Sequence, residues 1–165
     1  HYIDKKVDKS LLDEMLSAAN LAPSWKNSQT PRFYVATGEK SKDAVREALP
    51  EFNRKNSENA SAYIVTTVVL NRSGFDKDGT AVTEIGNGWG YYDLGLNNMA
   101  LLLKATELGI STLVMGIRDG EKLRKEFDIP KTEAVVSVIA VGYTDSEIVR
   151  PKRKSVEDFA KFYED

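Results

Sequence analysis

The residues best suited to binding a ligand lie between positions 22 and 35, in the segment A-P-S-W-K-N-S-Q-T-P-R-F-Y-V. Ser24, Asn27 and Gln29 follow one proline and precede another, so they belong to a loop whose turns are restricted. Hydroxyl and amide groups both donate and accept hydrogen bonds, which suits a ring with alternating polar edges, such as a flavin or a nucleobase. The alternative interpretation is a plain connector between a helix and a strand.

Two further places could contact the same kind of ligand. Lys152, Arg153 and Lys154 are three consecutive cations, and such a run either binds a phosphate group or forms a solvated surface. Gly116 follows a β-branched stretch, where a residue without a side chain either lets a ligand approach the backbone or only makes a turn.

The residues that are missing exclude several kinds of chemistry. The chain has no cysteine, and its one histidine is His1, so thiolate nucleophiles, serine–histidine triads and multi-histidine metal sites are excluded. We therefore predict no catalytic side chain and no metal, and expect any enzyme activity to depend on a bound cofactor. The net charge of −2 argues against a nucleic-acid partner.

Alternating helices and strands must position these candidate residues. We predict the elements from the apolar periodicity and from turn residues. Polar residues 51–61 predict a loop or a ragged helix end, and 71–88 a long connection that is functional or mobile. The pattern predicts helices over 9–20, 41–49, 91–108 and 121–127, a final helix beginning near Ser155, and strands over 33–37, 62–70, 111–117 and 134–141.

This irregular alternation favours an α+β fold or a three-layer sandwich over a doubly wound parallel sheet. The length of 165 residues suits one domain over 1–165. No apolar run is long enough for a membrane span, and no secretory signal is visible, so we expect no membrane partner and a cytoplasmic location. Because His1 stands where a methionine is expected, we also expect that the natural N-terminus precedes this sequence.

Taken in order, these motifs resemble the nitroreductase family. The resemblance begins with the segment at 22–35, which is similar to the family's A-P-S-x-x-N-x-Q-P-W-x-F-x-V, and covers nearly the whole chain. It continues through E-L-G-I at the end of the long helix, T-L-V-M-G, F-D-I-P and V-I-A-V-G-Y, and ends with P-K-R-K-S-V-E-D-F. Two differences are visible: Thr30 stands where the family often has proline, and the Arg-x-Ser-x-Arg stretch that usually comes first is absent.

The resemblance implies an α+β three-layer sandwich with a central mixed, mainly antiparallel sheet flanked by helices. It also implies an FMN-dependent oxidoreductase that works as a homodimer with the flavin at the subunit interface. In a ping-pong reaction, NADH or NADPH would reduce the flavin, and a nitroaromatic, a quinone or a related small-molecule acceptor would reoxidise it.

The resemblance further assigns roles to individual residues. Ser24, Asn27 and Gln29 would contact the flavin ring and ribityl chain, Gly116 would offer backbone near the cofactor, and Arg153 with Lys154 would hold the phosphate. Two alternatives remain open: a module that binds or sequesters flavin without turnover, and a protein that binds another phosphorylated small molecule. Trp25 and Trp89 have no assigned role.

Overall fold

The computed structural model describes residues 1–147 and 149–164. Helices and strands alternate along the chain except for one pair of consecutive helices, and a short 3₁₀ turn lies at Trp25–Asn27. The elements are α1 (Lys9–Asn20), β1 (Pro31–Ala36), α2 (Glu39–Glu47), α3 (Glu51–Asn56), β2 (Ala62–Val69), α4 (Gly88–Glu107), β3 (Ser111–Met115), α5 (Gly120–Glu126), β4 (Glu133–Gly142) and α6 (Val156–Phe159).

The four strands form one sheet in the order β1-β2-β4-β3, and each neighbouring pair is antiparallel. β2 and β4 are central and buried on both faces, which explains their nearly continuous apolar sequence. β1 and β3 form the two edges. The segments next to β1 and those next to β3 therefore lie at opposite edges of the sheet.

Helices cover both faces of the sheet, and each face has its own core. Along β2, Tyr63 and Val65 point to the core formed with α2 and α5, whereas Ala62 and Ile64 point to the core formed with α1 and α4. This alternation follows from the two-residue period of a strand. The architecture is an α+β three-layer sandwich, as predicted.

The long helix α4 packs along α1 through Leu101 and Ala105. Its opposite face is uncovered in the single chain, with Tyr92, Met99 and Leu103 exposed. Gly109, at φ 70°, ends the helix in the left-handed conformation that glycine adopts without steric cost.

Segment 71–87 is an extended series of turns that begins and ends at two asparagines. The Asn71 backbone N–H donates to Asn87 Oδ1 at 2.7 Å, and Asn87 Nδ2 donates to Asn71 Oδ1 at 2.9 Å. An isolated bridge joins Phe75 to Ala81. The segment is thus closed at its base like an Ω-loop, a type of loop that is frequently functional.

Residues 149–164 extend from the body as an exposed tail in which only Ala160 is half-buried. Its one helix, α6, begins with the predicted capping box, in which the Ser155 N–H donates to Asp158 at 3.1 Å. None of the helices in the described residues is both long and apolar enough to cross a bilayer.

Candidate functional site

The loop between α1 and β1 has an unusual backbone. Lys26, Asn27 and Gln29 have φ values of 46°, 54° and 49°, a left-handed conformation that residues other than glycine rarely adopt. Ser24 Oγ accepts a hydrogen bond from the Gln29 N–H at 3.0 Å, which closes the loop on itself. Such a conformation persists only where surrounding contacts determine it, and it is concentrated at functional sites.

The side chains of this loop are available to a ligand. Asn27 and Gln29 are exposed, and neither side-chain amide hydrogen-bonds another residue in the described part of the chain. Ser24 is half-buried, with its hydroxyl oxygen at the loop-closing contact. The loop therefore presents two free amides on a backbone that is held in one conformation.

A pocket of about 180 Å³ lies beside this loop. Its polar groups are a hydroxyl and three amides, a set that can both donate and accept. Its volume is below the 300–1,000 Å³ typical of sites that enclose a drug-sized ligand, so a flavin would be only partly enclosed by one chain. The lining residues are Leu16, Asn20, Ala22, Ser24, Gln29, Pro31, Phe33 and Asn97.

The other predicted site residues lie elsewhere in the single chain. Gly116 follows β3, on the sheet edge opposite to β1, and it is exposed. Arg153 and Lys154 are exposed on the tail, and its hydrogen bonds among the described residues stay within it. The structure therefore brings Ser24 and Gln29 to one pocket. Asn27 lies on the same loop but does not line that pocket, and neither do Gly116, Arg153 and Lys154.

Two tryptophans without a predicted role connect the loop to segment 71–87. The ring centroids of Trp25 and Trp89 are 4.7 Å apart, and Trp89 lies 5.8 Å from Tyr92 in an edge-on arrangement. Trp89 Nε1 donates to Thr83 Oγ1 at 2.8 Å. Aromatic packing thus couples the candidate loop to the segment where the sequence contains no recognisable motif.

Two buried polar residues beside the loop were missed in the sequence: Asp93 accepts from the Trp25 N–H, and Asn97 lines the pocket. Asp93 and Asn97 occupy the buried face of α4, where they precede Leu101 and Ala105 at intervals of four residues. A charged and an amide residue on an otherwise apolar face are the signal that could have identified them, because buried polar groups require partners.

The groups whose pKa is displaced lie away from the pocket and do not titrate near neutral pH. Burial, with a hydrogen bond to Glu133 at 2.9 Å, raises the pKa of Tyr34 to about 12. Burial also raises the pKa of Tyr2, whose hydroxyl donates to the Ala140 carbonyl oxygen. In residues 1–147 and 149–164, no group of three or more His, Cys, Asp or Glu side chains is placed to hold a metal ion.

Comparison with known proteins identifies the fold and the family. The sequence model of the Nitroreductase family matches residues 1–143. The chain belongs to the nitroreductase family.

Relatives of this nitroreductase-family chain agree with the assignment. A protein from Archaeoglobus fulgidus with the provisional name NADH dehydrogenase/NAD(P)H nitroreductase is 26% identical over 153 residues, which cover 88% of this chain and 79% of that protein.

Solved structures of similar proteins share the architecture. A nitroreductase family protein from Streptococcus pneumoniae superimposes with a TM-score of 0.83 at 22% identity, covering 99% of this chain and 94% of that one. An FMN-dependent nitroreductase from Clostridium difficile superimposes with a TM-score of 0.70 at 26% identity, covering 96% and 87%. These matches establish the nitroreductase fold.

The family match does not cover every predicted site residue of this nitroreductase-family chain. The matched residues 1–143 include Ser24, Asn27, Gln29 and Gly116. Arg153 and Lys154 lie beyond them. The roles of all six predicted residues remain predictions.

Proposed function

We propose that this chain is an FMN-dependent oxidoreductase that takes electrons from NADH or NADPH and passes them to a nitroaromatic, a quinone or a related small molecule. The observation that carries the proposal is the strained loop with the free amides of Asn27 and Gln29 beside a polar pocket. The names of two relatives support it, since one is called an NAD(P)H nitroreductase and another an FMN-dependent nitroreductase.

The residues of the loop fit a flavin chemically. The edge of a flavin ring carries alternating donors and acceptors, and the Ser24 hydroxyl with the amides of Asn27 and Gln29 supplies both. When bound, FMN would supply the hydride and electron-transfer chemistry of a ping-pong cycle. The chain would bind the ring at the loop, orient it by hydrogen bonds and hold its phosphate with Arg153 and Lys154.

We further propose that the site is shared between two copies of the chain. The loop and Gly116 lie at opposite edges of the sheet, and the pocket at the loop is too small to enclose a flavin. The uncovered face of α4 and the apolar tail residues, among them Phe159 and Phe162, supply surfaces that a second copy would bury.

Steady-state kinetics test the proposed activity. FMN-loaded protein should consume NADH or NADPH when menadione or nitrofurazone is added as acceptor. Protein that binds FMN tightly but supports no consumption would instead favour a flavin-sequestering module. Protein that binds no flavin would remove both interpretations.

Mixed dimers test whether the site is shared. We expect Gln29→Ala and the double variant Arg153→Ala/Lys154→Ala to bind FMN weakly by themselves. If the loop of one copy and the tail of the other form one site, mixing the unfolded variants and refolding them together yields dimers with one intact site. Recovery of tight FMN binding supports a shared site, whereas no recovery, or a stable monomer in sedimentation, contradicts it.

A further inference from the structure

A buried carboxylate lies directly beneath the candidate loop. Asp93 is only 2% exposed, and both of its carboxylate oxygens lie 3.1 Å from the backbone nitrogen of Trp25, which donates to them. The hydroxyl of Ser73 donates to the same carboxylate at 2.5 Å. In the described residues, no lysine, arginine or histidine forms an ion pair with Asp93. Its negative charge is therefore stabilised by one loop N–H and one hydroxyl.

Ser73 extends this network to the far end of the loop. Its hydroxyl oxygen lies 2.6 Å from Ser28 Oγ and 3.1 Å from Thr30 Oγ1. Ser73 and Thr30 are almost completely buried. The carboxylate thus holds the loop at Trp25 directly and at Ser28 and Thr30 through Ser73.

The left-handed residues lie between these two attachment points. Lys26 and Asn27 follow the Trp25 attachment, and Gln29 lies between Ser28 and Thr30. A strained backbone of this kind relaxes unless it is over-determined. Burying a charge without a cation is unfavourable, and an apolar residue would be less costly at this position of α4. A role in holding the loop would explain why a buried carboxylate stands here in spite of this free-energy cost.

We propose that Asp93 is a positioning residue for the ligand site. Through the Trp25 N–H and Ser73, it holds the loop in the conformation that presents Ser24, Asn27 and Gln29 to the flavin. This inference rests on the proposed function and adds a residue that contacts no ligand itself. It gives the Asp93 and Ser73 side chains one joint role.

Two variants and two matched controls test the proposal. Asp93→Asn keeps the size of the side chain but replaces one accepting oxygen by an N–H₂ group, which cannot accept a hydrogen bond. Ser73→Ala removes the hydroxyl that links Asp93 to Ser28 and Thr30. Glu133→Gln is the control for the first, because Glu133 is 6% exposed and also accepts two hydrogen bonds, from Tyr34 and Thr67.

Ser137→Ala is the control for the second variant. Ser137 is 5% exposed, and its hydroxyl pairs with Thr66 Oγ1 at 2.8 Å inside the sheet. Each control therefore loses the same kind of buried hydrogen bond as its partner variant, but at a distance from the loop. General destabilisation should appear in all four variants. Displacement of the loop should appear only in Asp93→Asn and Ser73→Ala.

Two readouts separate a positioning role from a structural one. Trypsin cleavage after exposed Lys26 reports opening of the loop without any flavin, and fluorescence titration gives the Kd for FMN. We expect Asp93→Asn and Ser73→Ala to be cleaved about tenfold faster than their controls and to bind FMN about tenfold more weakly, since each loses about one strong hydrogen bond. The visible absorption bands of the bound flavin should also move in these two variants only.

The outcomes distinguish this inference from the proposed function. If wild-type protein binds FMN and the Asp93 and Ser73 variants behave like their controls, the positioning role is wrong and the proposed function stands. If wild-type protein binds no FMN, the proposed function fails with the flavin part of this inference, and cleavage at Lys26 alone decides whether Asp93 holds the loop. If Asp93→Asn does not fold, Ser73→Ala decides the question.

Discussion

The side chain of Gln29 offers a way to separate ligand binding from folding. It is exposed and hydrogen-bonds no other described residue. The hydrogen bond from the Gln29 backbone N–H to Ser24 Oγ remains when the side chain is removed. The substitution Gln29→Ala therefore removes the free amide and leaves the loop closed. Since both residues have a Cβ, the strain at φ 49° is the same before and after the change.

The expected magnitudes follow from these contacts. The free energy of unfolding should change by no more than about 0.5 kcal/mol, because the removed amide contacts no described residue and the backbone strain is unchanged. A side-chain amide makes one or two hydrogen bonds to a ligand, worth about 0.5–1.5 kcal/mol each. A total loss of about 1–2 kcal/mol corresponds to a Kd for FMN that is roughly 5- to 30-fold higher.

Flavin fluorescence titration and urea unfolding measure the two quantities on the same preparations. Asn59→Ala is a matched control, because Asn59 is also exposed and left-handed, at φ 62°, but lies outside the loop. An unchanged Kd in Gln29→Ala would refute the assignment of this amide to the flavin. A large loss of stability would mean that the Gln29 side chain, and not only its backbone N–H, holds the loop closed.

Three further predictions concern the tail, segment 71–87 and the sheet. Arg153→Ala/Lys154→Ala should raise the Kd for FMN about tenfold or more. The Kd for riboflavin should stay unchanged, because riboflavin lacks the phosphate. An equal increase of both Kd values in fluorescence titration would contradict the phosphate contact. Gly74→Ala should destabilise the protein by about 1–3 kcal/mol in urea unfolding, because φ is +83° and a Cβ would lie 2.7 Å from the Gly86 carbonyl oxygen. Folding raises the pKa of Tyr34 from 10.0 to about 12. The protonated Tyr34 hydroxyl therefore stabilises the fold fully below pH 10, and this stabilisation is lost as the pH rises toward 12. Tyr34→Phe should weaken that alkaline decline in denaturation experiments, and an identical pH profile would contradict the assignment.

The main elements could be predicted from the sequence because local signals agree with the tertiary structure. The apolar spacing over 9–20 predicts α1 at its observed bounds, and the β-branched run at 62–70 becomes the central strand β2. The polar stretch at 51–61 was less informative. It contains α3, whose helical conformation is accompanied by burial of Asn53 and by its hydrogen bond to the Ile117 carbonyl oxygen.

The candidate loop could be identified in the sequence because its polar residues are contiguous, and their roles stay predictions. Ser24, Asn27 and Gln29 share one loop, so a reading of composition could find them. Asp93 and Ser73 act on that loop from 68 and 45 residues away in the chain, and no local pattern reports contacts over such separations. Gly116 lies at the opposite edge of the sheet and the basic tail is exposed, so their part in the site rests on the proposed second copy.

The visible absorption spectrum of purified, FMN-incubated protein, recorded without oxygen before and after NADH or NADPH is added, tests the central claim most directly. The proposed function requires a yellow protein with bound-flavin bands near those of free FMN. Those bands should bleach on addition of the nicotinamide and return when an acceptor is added. A colourless protein that retains no FMN after desalting, or a yellow one whose bands neither nicotinamide changes, would contradict it.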